Sequence, residues 1–224
     1  ISVSQRYGTS ANTPSQTDYV VDRWENHLSQ SSKFSVQHLE DAPSGEGVGK
    51  YSSKITSLSA YTIQTGDYFV YNQNIEGLNV DHLQFGTSSA KTVTISFYVK
   101  SSLTGTFAFA IANSAYNRRQ VQEYTISSAN TWERKSLTFT GDTTGTWLTT
   151  NGVGMRLTLS LGGGSNYDSD SPVTWLATDD FTTSNAVDVV STNAATWYLT
   201  GCQLEVGTQT TPFEYRTIGE ELQL

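Results

Sequence analysis

The sequence predicts an all-β chain, an antiparallel sandwich of two sheets, and three observations carry that prediction. Apolar and polar residues alternate with a period of two in several runs. The clearest are Val93, Ile95, Phe97 and Val99 against Thr94, Ser96, Tyr98 and Lys100, and Val153, Met155, Leu157, Leu159 and Leu161 against Gly154, Arg156, Thr158 and Ser160. That period puts one apolar row on one face of a strand. A succession of such runs is separated by clusters of Gly, Asn, Asp, Ser and Pro, the spacing of a fold built from sheets. No stretch of helix length carries a 3.6-residue apolar period, and charged residues are only 15% of the chain, too few for long solvated helices.

In chain order, residues 1–6 alternate briefly and predict an edge strand, and the Thr, Ser, Asn and Pro of 8–17 predict a loop. Residues 19–28, YVVDRWENHL, predict one strand around Trp24. In 33–39, Phe34, Val36 and His38 share a face, and DAPSGEGVG over 41–49 ends the run. Strands follow at 50–58 and 67–76, then a helical turn at 75–85, where Ile75, Leu78, Leu83 and Phe85 fit neither period. Residues 91–113 predict the centre of the fold. The Val93 row forms a half-buried strand, 101–105 turns, and Phe107, Phe109 and Ile111 resume against Ala108, Ala110 and Ala112, together an antiparallel hairpin. Residues 118–126 predict a strand with a bulge, because Val121 and Tyr124 are out of phase. Leu137 and Phe139 mark a strand at 131–140, with a turn at 141–145; 153–161 and 196–206 are the last long strands, and 173–176 and 187–190 are short edge strands. Periodicity does not separate a jelly roll from an immunoglobulin-like order or a barrel. The lack of a fixed-period repeat argues against a propeller or solenoid.

The 224 residues are ample for one large all-β domain over 1–224, with 210–224 as a C-terminal tail. A net charge of −8 offers no basic surface for nucleic acid and is repelled by an anionic membrane. No run reaches the roughly 18 apolar residues of a membrane span, so no membrane insertion is expected. Cys202 is the one cysteine, so no internal disulfide forms. It shares an alternating row with Tyr198, Leu204 and Val206, which predicts a buried, inert thiol. The chain begins without Met, which fits a processed product or a piece of a longer polypeptide.

Several phrases are shared with a known family. SQRYGTS followed by DRWE, FYVKSSLTGTF, TWERKSLTFTGDTTGTW, LTLSLGGG and YLTGCQLEVGTQTTPFEYRTIGEEL span most of the chain. Together they resemble a domain found in tail fibres and other virion appendages of marine bacteriophages. The resemblance implies a jelly roll related to carbohydrate-binding modules and a structural or receptor-contacting role on a virion. Other virion proteins and further copies of the chain, as a homo-oligomer and by resemblance a trimer, are then the partners, with host-surface glycan as a third. Calcium-binding members of the related modules carry paired aspartates in the final strand where this chain has Thr200 and Gly201, so no metal is expected there.

The motif survey yields no catalytic residue and no cofactor. His27, His38 and His82 lack ligand spacing, and the adjacent pairs Asp179-Asp180 and Glu220-Glu221 point to opposite faces of a strand and make no glycosidase dyad alone. Gly162 to Gly164 lacks the Lys and helix of a phosphate loop. Asp168 and Asp170 beside Asn166 present oxygens at alternate positions, read as a solvated turn. Sugar binding would rest on stacked rings, and Tyr61, Tyr68, Tyr71, Tyr116, Trp147, Tyr167 and Trp175 lie in or near loops and strand ends, each weighed first as core. The expected function is a bacteriophage appendage domain, a fibre, knob or head decoration located on the virion and without enzymatic activity. The alternative is a carbohydrate-binding module of a secreted polysaccharide-degrading enzyme. In the tail, Pro212 stops the final strand, Phe213 and Tyr215 anchor, and Ile218, Leu222 and Leu224 supply apolar contacts for the oligomer, the alternative being a tail that packs back on its own sandwich.

Overall fold

The computed structural model describes residues 4–217 and Gly219, and it folds as a two-sheet antiparallel sandwich. The strands are β1 (Thr17–Val21), β2 (Trp24–Leu28), β3 (Phe34–Glu40), β4 (Tyr51–Ser57), β5 (Tyr68–Glu76), β6 (Val93–Ser101), β7 (Gly105–Ala112), β8 (Arg119–Ile126), β9 (Glu133–Phe139), β10 (Val153–Gly163) and β11 (Thr196–Val206). A six-stranded sheet runs β1-β2-β5-β10-β7-β8 and a five-stranded sheet runs β3-β4-β11-β6-β9. From β4 to β7 and again from β8 to β11 every connection crosses between the sheets, the alternation of a jelly roll.

The expected core rows hold. Val93, Ile95, Phe97 and Val99 from one sheet meet Phe107, Phe109, Ile111, Leu157 and Leu159 from the other, all buried. Phe97 stacks on Phe109 at 5.5 Å, and Tyr71 meets Trp197 edge-on at 6.3 Å across the two layers. Tyr71 keeps its hydroxyl inside because Ser53 Oγ lies 2.6 Å away, which satisfies both groups.

Several expectations are corrected. Residues 91–113 are not a hairpin: β6 pairs with β11 and β9, whereas β7 pairs with β10 and β8, so the short connection bridges the sheets. Alternation reports which face a residue takes, and a tight connection does not say whether the chain turns back or crosses over. Nor is β6 half-buried, since Thr94, Ser96 and Tyr98 are buried as well. The loop 41–49 folds over that face, with the Tyr98 hydroxyl donating to Glu46 at 2.6 Å and Lys100 donating to Asp41 at 2.5 Å. Residues 19–28 are two strands joined at Arg23, whose φ of 68° makes the turn. Strand β8 has no bulge: its register with β7 runs unbroken, and Val121 is out of phase because its own face is covered too. Residues 173–176 and 187–190 form no strands, only an isolated bridge from Leu176 to Arg119, another at Ala186 beside the second segment, and a 3-10 turn at Val189–Ser191. The helical turn is present but shorter, α1 at Gly77–Val80 followed by a 3-10 turn at Asp81–Leu83. Ser4 is irregular and residues 5–9 are turn, and the remainder of the expected first strand lies outside the described residues.

Strand β11 shifts register between Thr200 and Gln203. Gly201 sits there at φ 57°, where a Cβ would come within 2.6 Å of Val48, so only glycine fits. The shift swaps the strand's faces. Trp197 and Leu199 are core before it and Cys202 and Leu204 pack on the core after it, while Tyr198 faces out beside Lys100 and Val206 is exposed. Cys202 is therefore on the core side through the bulge and not through a row shared with Tyr198, and burial pushes its thiol up to about 12. The described part of the tail packs on its own sheet: Arg134 donates to the Thr211 carbonyl, Thr211 to Glu205, and the Glu214 amide to Gln203. Ile218, Leu222, Leu224 and the Glu220-Glu221 pair lie outside the described residues.

Candidate functional site

The outer face of the six-stranded sheet is where polar chemistry gathers. Strands β2, β5, β10, β7 and β8 each give alternate residues to the core, which leaves His27, Tyr68, Val70, Asn72, Arg156, Thr158, Ala108, Ala110, Arg119 and Val121 facing outward. Part of this face is roofed by the long connection between β10 and β11. There Phe181 packs on Val70, Ala108, Ala110 and Val121 in a second, smaller apolar cluster, with Tyr68, Tyr167 and Ala186 at its margin. The small side chains of β7 allow the roof to come close.

Beside the roof lies a cleft of about 220 Å³ lined by His27, Tyr68, Val70, Asn72, Tyr116, Arg119, Thr158, Tyr167, Asp179 and Phe181. Pockets for whole drug-sized molecules run ~300–1,000 Å³, so this one suits a single unit of a larger ligand. A run of contacts borders it: His27 to Tyr68 at 5.0 Å, Tyr68 to Tyr167 at 5.9 Å, Tyr167 to Phe181 at 5.0 Å, Phe181 to the Arg119 guanidinium at 5.9 Å, Arg119 to Tyr116 at 5.2 Å and Tyr116 to Arg156 at 4.5 Å. Arg119 also holds Asp179 at 2.8 Å.

The polar groups here are buried and incompletely bonded. Asn72 is 1%, Thr158 2% and Arg119 3% exposed. Asn72 Oδ1, Thr158 Oγ1, Ser160 Oγ and the Nε atoms of Arg119 and Arg156 have no hydrogen-bond partner. A buried hydroxyl or amide left unbonded costs about 1–3 kcal/mol, so a cluster of five on one sheet face is a standing cost that a ligand with matching groups would relieve. Burial raises the pKa of the Tyr116 and Tyr167 hydroxyls, so both remain O–H at neutral pH. Burial draws Arg119 down against the pull of Asp179, and a guanidinium stays charged through such a shift.

Of the ring residues singled out in the sequence, Tyr68, Tyr116 and Tyr167 line the cleft. The others pack or clasp. Tyr71 is core, Tyr61 donates to Asp67 at 2.8 Å, and Trp147 and Trp175 form an edge-on trio with Phe85. His38 stacks on Tyr51 at 4.5 Å and His82 is exposed, while His27 joins the cleft. Asp180 accepts from Thr178. Burial raises Asp168, with Asp170 and Asp180 adding to it, and among the described residues no three of His, Cys, Asp or Glu gather where a metal could be held. Asn72, Thr158 and Arg119 were missed as site residues, because a polar residue facing a cleft alternates like one facing solvent and only adjacency across strands brings these together. Asp179, set aside with Asp180 as neighbours on a strand, lies instead in the irregular connection between β10 and β11, which brings it to Arg119.

No protein-family model matches the chain, and a search of curated proteins finds no match. Among solved structures it is similar to the enzymatically active domain of tailspike protein 4 from bacteriophage CBA120, at 10% identity and a TM-score of 0.45 over 83% of this chain and 19% of that one. It is similar to the family 11 carbohydrate-binding module of a Clostridium thermocellum cellulosomal cellulase, at 14% identity and a TM-score of 0.42 over 89% and 97%. A third is a Clostridium thermocellum xylanase fragment with a carbohydrate-binding module, solved with xylohexaose, at 12% identity and a TM-score of 0.43 over 94% of this chain and 30% of that one. The chain thus spans about a fifth of the tailspike chain. Likenesses at this level carry no argument about what the chain binds or does.

Proposed function

We propose that this chain is a non-catalytic binding domain that holds one unit of a glycan in the cleft on the outer face of its six-stranded sheet. The observation that supports it is the meeting, on one sheet face, of ring surfaces with buried polar atoms that have nothing to bond. A pyranose offers apolar C–H faces to rings such as Tyr116 and Tyr167, and it offers hydroxyls that both donate and accept, as Asn72 Oδ1 and Thr158 Oγ1 require. The shared phrases of the sequence add the setting: a bacteriophage appendage on the virion, contacting host-surface glycan, anchored to other virion proteins and assembled as a homo-oligomer, a trimer by resemblance. A glycan array probed with the intact chain and with Tyr116→Ala tests the first part. Retention by the intact chain that is lost in a folded Tyr116→Ala variant is expected, and no retention of any glycan overturns it. Antibody labelling of purified particles tests the second, and particles without the chain overturn that setting alone.

A further inference from the structure

Arg156, Ala112 and Arg119 form one row on the outer face of the six-stranded sheet, Arg156 opposite Ala112 across β10 and β7 and Ala112 opposite Arg119 across β7 and β8. Ala112 between them is fully buried, and both guanidiniums lie against the same ring, Tyr116. Each arginine commits one terminal nitrogen, Arg119 Nη2 to Asp179 at 2.8 Å and Arg156 Nη1 to Asn74 Oδ1 at 2.6 Å, and each leaves its Nε buried and unbonded.

The neighbouring Arg118 shows what a forked guanidinium–carboxylate pair looks like in this fold. It donates from Nε and Nη2 to the two oxygens of Asp142. Arg119 has no such fork. Its side chain is 3% exposed while that of its one carboxylate partner, Asp179, is 52% exposed, so a buried charge is answered by a half-solvated one. Buried charge is costly unless paired and hydrogen-bonded, and a planar guanidinium matches a carboxylate with two parallel donors. Asp179, Asp180 beside it, and Glu25 through its contact with Asn74 at 2.8 Å are the acidic groups at the row.

We infer that the cleft takes an acidic saccharide, its carboxylate held at Arg119 and Arg156 and its ring hydroxyls at Asn72 and Thr158. This rests on the glycan reading above and narrows it. A neutral sugar would fill the same space without meeting the charge of the two guanidiniums.

Calorimetric titration of the intact chain with matched oligosaccharides decides the matter: glucuronate against glucose, galacturonate against galactose, and mannuronate against mannose, each pair of one linkage and length. In any pair that binds, the acidic member is expected to bind about tenfold or more tighter, the range of a charge-assisted hydrogen bond, and Arg156→Gln is expected to bring the two within about twofold. Arg156 is the variant of choice because it is only partly buried, and its thermal melt reports whether the fold persists. Equal or tighter binding of the neutral member overturns the acidic inference and leaves the glycan reading standing. Silence of every pair overturns the glycan reading and this inference with it. An acidic preference that survives Arg156→Gln overturns the assignment of the carboxylate to this row.

Discussion

Asn72 and Thr158 stand opposite each other on β5 and β10, and the Oδ1 of one and the Oγ1 of the other are both buried without a hydrogen-bond partner. The pair stores a cost in the free protein that a bound hydroxyl would remove. Thr158→Val keeps the shape and deletes the polar atom, so it should raise stability by about 1 kcal/mol or more while weakening glycan binding. Urea denaturation and titration on the same variant check both signs, and a loss of stability would mean that the hydroxyl is bonded in solution.

Asp142 ties its own loop to the start of β8. It accepts from Arg118 at 2.8 and 2.5 Å, from Trp147 Nε1 at 3.0 Å and from the Thr144 amide at 3.2 Å. Burial alone would raise its carboxyl, but the bonds from Arg118, Trp147 and Thr144 outweigh burial and hold it below the ordinary range. A depressed acid contributes stability that is present above its unfolded value, 3.8, and is lost as pH falls through the lower folded value. Asp142→Ala strands a largely buried guanidinium and should cost about 3–5 kcal/mol, read as a lower denaturation midpoint at pH 7.

Asp188 behaves in the opposite sense. Burial pushes its carboxyl up to about 6, with the Gly163 amide at 3.3 Å pulling it back and Asp168 adding to the rise. A raised acid favours the folded state below its unfolded value of 3.8, and that contribution disappears as pH rises through about 6. Asp188→Asn should therefore be more stable than the parent at pH 7.5 and indistinguishable near pH 4. Denaturation midpoints of both proteins across that window measure it, and parallel curves would refute the shift.

Phe97 and Tyr98 are adjacent and both buried, for different reasons. Phe97 stacks on Phe109 at 5.5 Å and meets Tyr124 edge-on at 5.2 Å in the main core, whereas Tyr98 lies under the loop 41–49 with its hydroxyl on Glu46. Burial and that carboxylate push the Tyr98 hydroxyl up to about 12. Phe97→Ala should cost about 3–5 kcal/mol. Tyr98→Phe, which removes only the hydrogen bond, should cost about 1 kcal/mol, and equal losses in a thermal melt would show that the loop matters as much as the core.

What the sequence made legible was the facing of residues. Strands that give one apolar row to the main core, such as β6 and β10, announce themselves because that row recurs with a period of two. Partnership was not legible, and so β6 and β7 read as a hairpin although they lie in different sheets. Nor was the second covered face. Val70, Ala108, Ala110 and Val121 under Phe181 look like residues turned to solvent, because their roof comes from an irregular connection with no period of its own. The cleft inherits that problem. Tyr116 and Tyr167 could be proposed as rings near loops, but Arg119 and Asn72 acquire meaning only when strands far apart in the chain are set side by side.

The order of strands also bears on how the chain is made. Strand β10 sits between β5 and β7, and β11 sits between β4 and β6, so each sheet receives a central strand only from the last third of the chain. A ribosome delivering residues in order would expose β5, β6 and β7, rich in Phe, Val and Ile, before either seam could close. Such pairings of high sequence separation fold slowly and leave strand edges open to other chains meanwhile. Synthesis in the cell should thus depend on holding chaperones until residue 206 has emerged, and a chain halted before Thr196 should aggregate instead of resting as a stable partial fold.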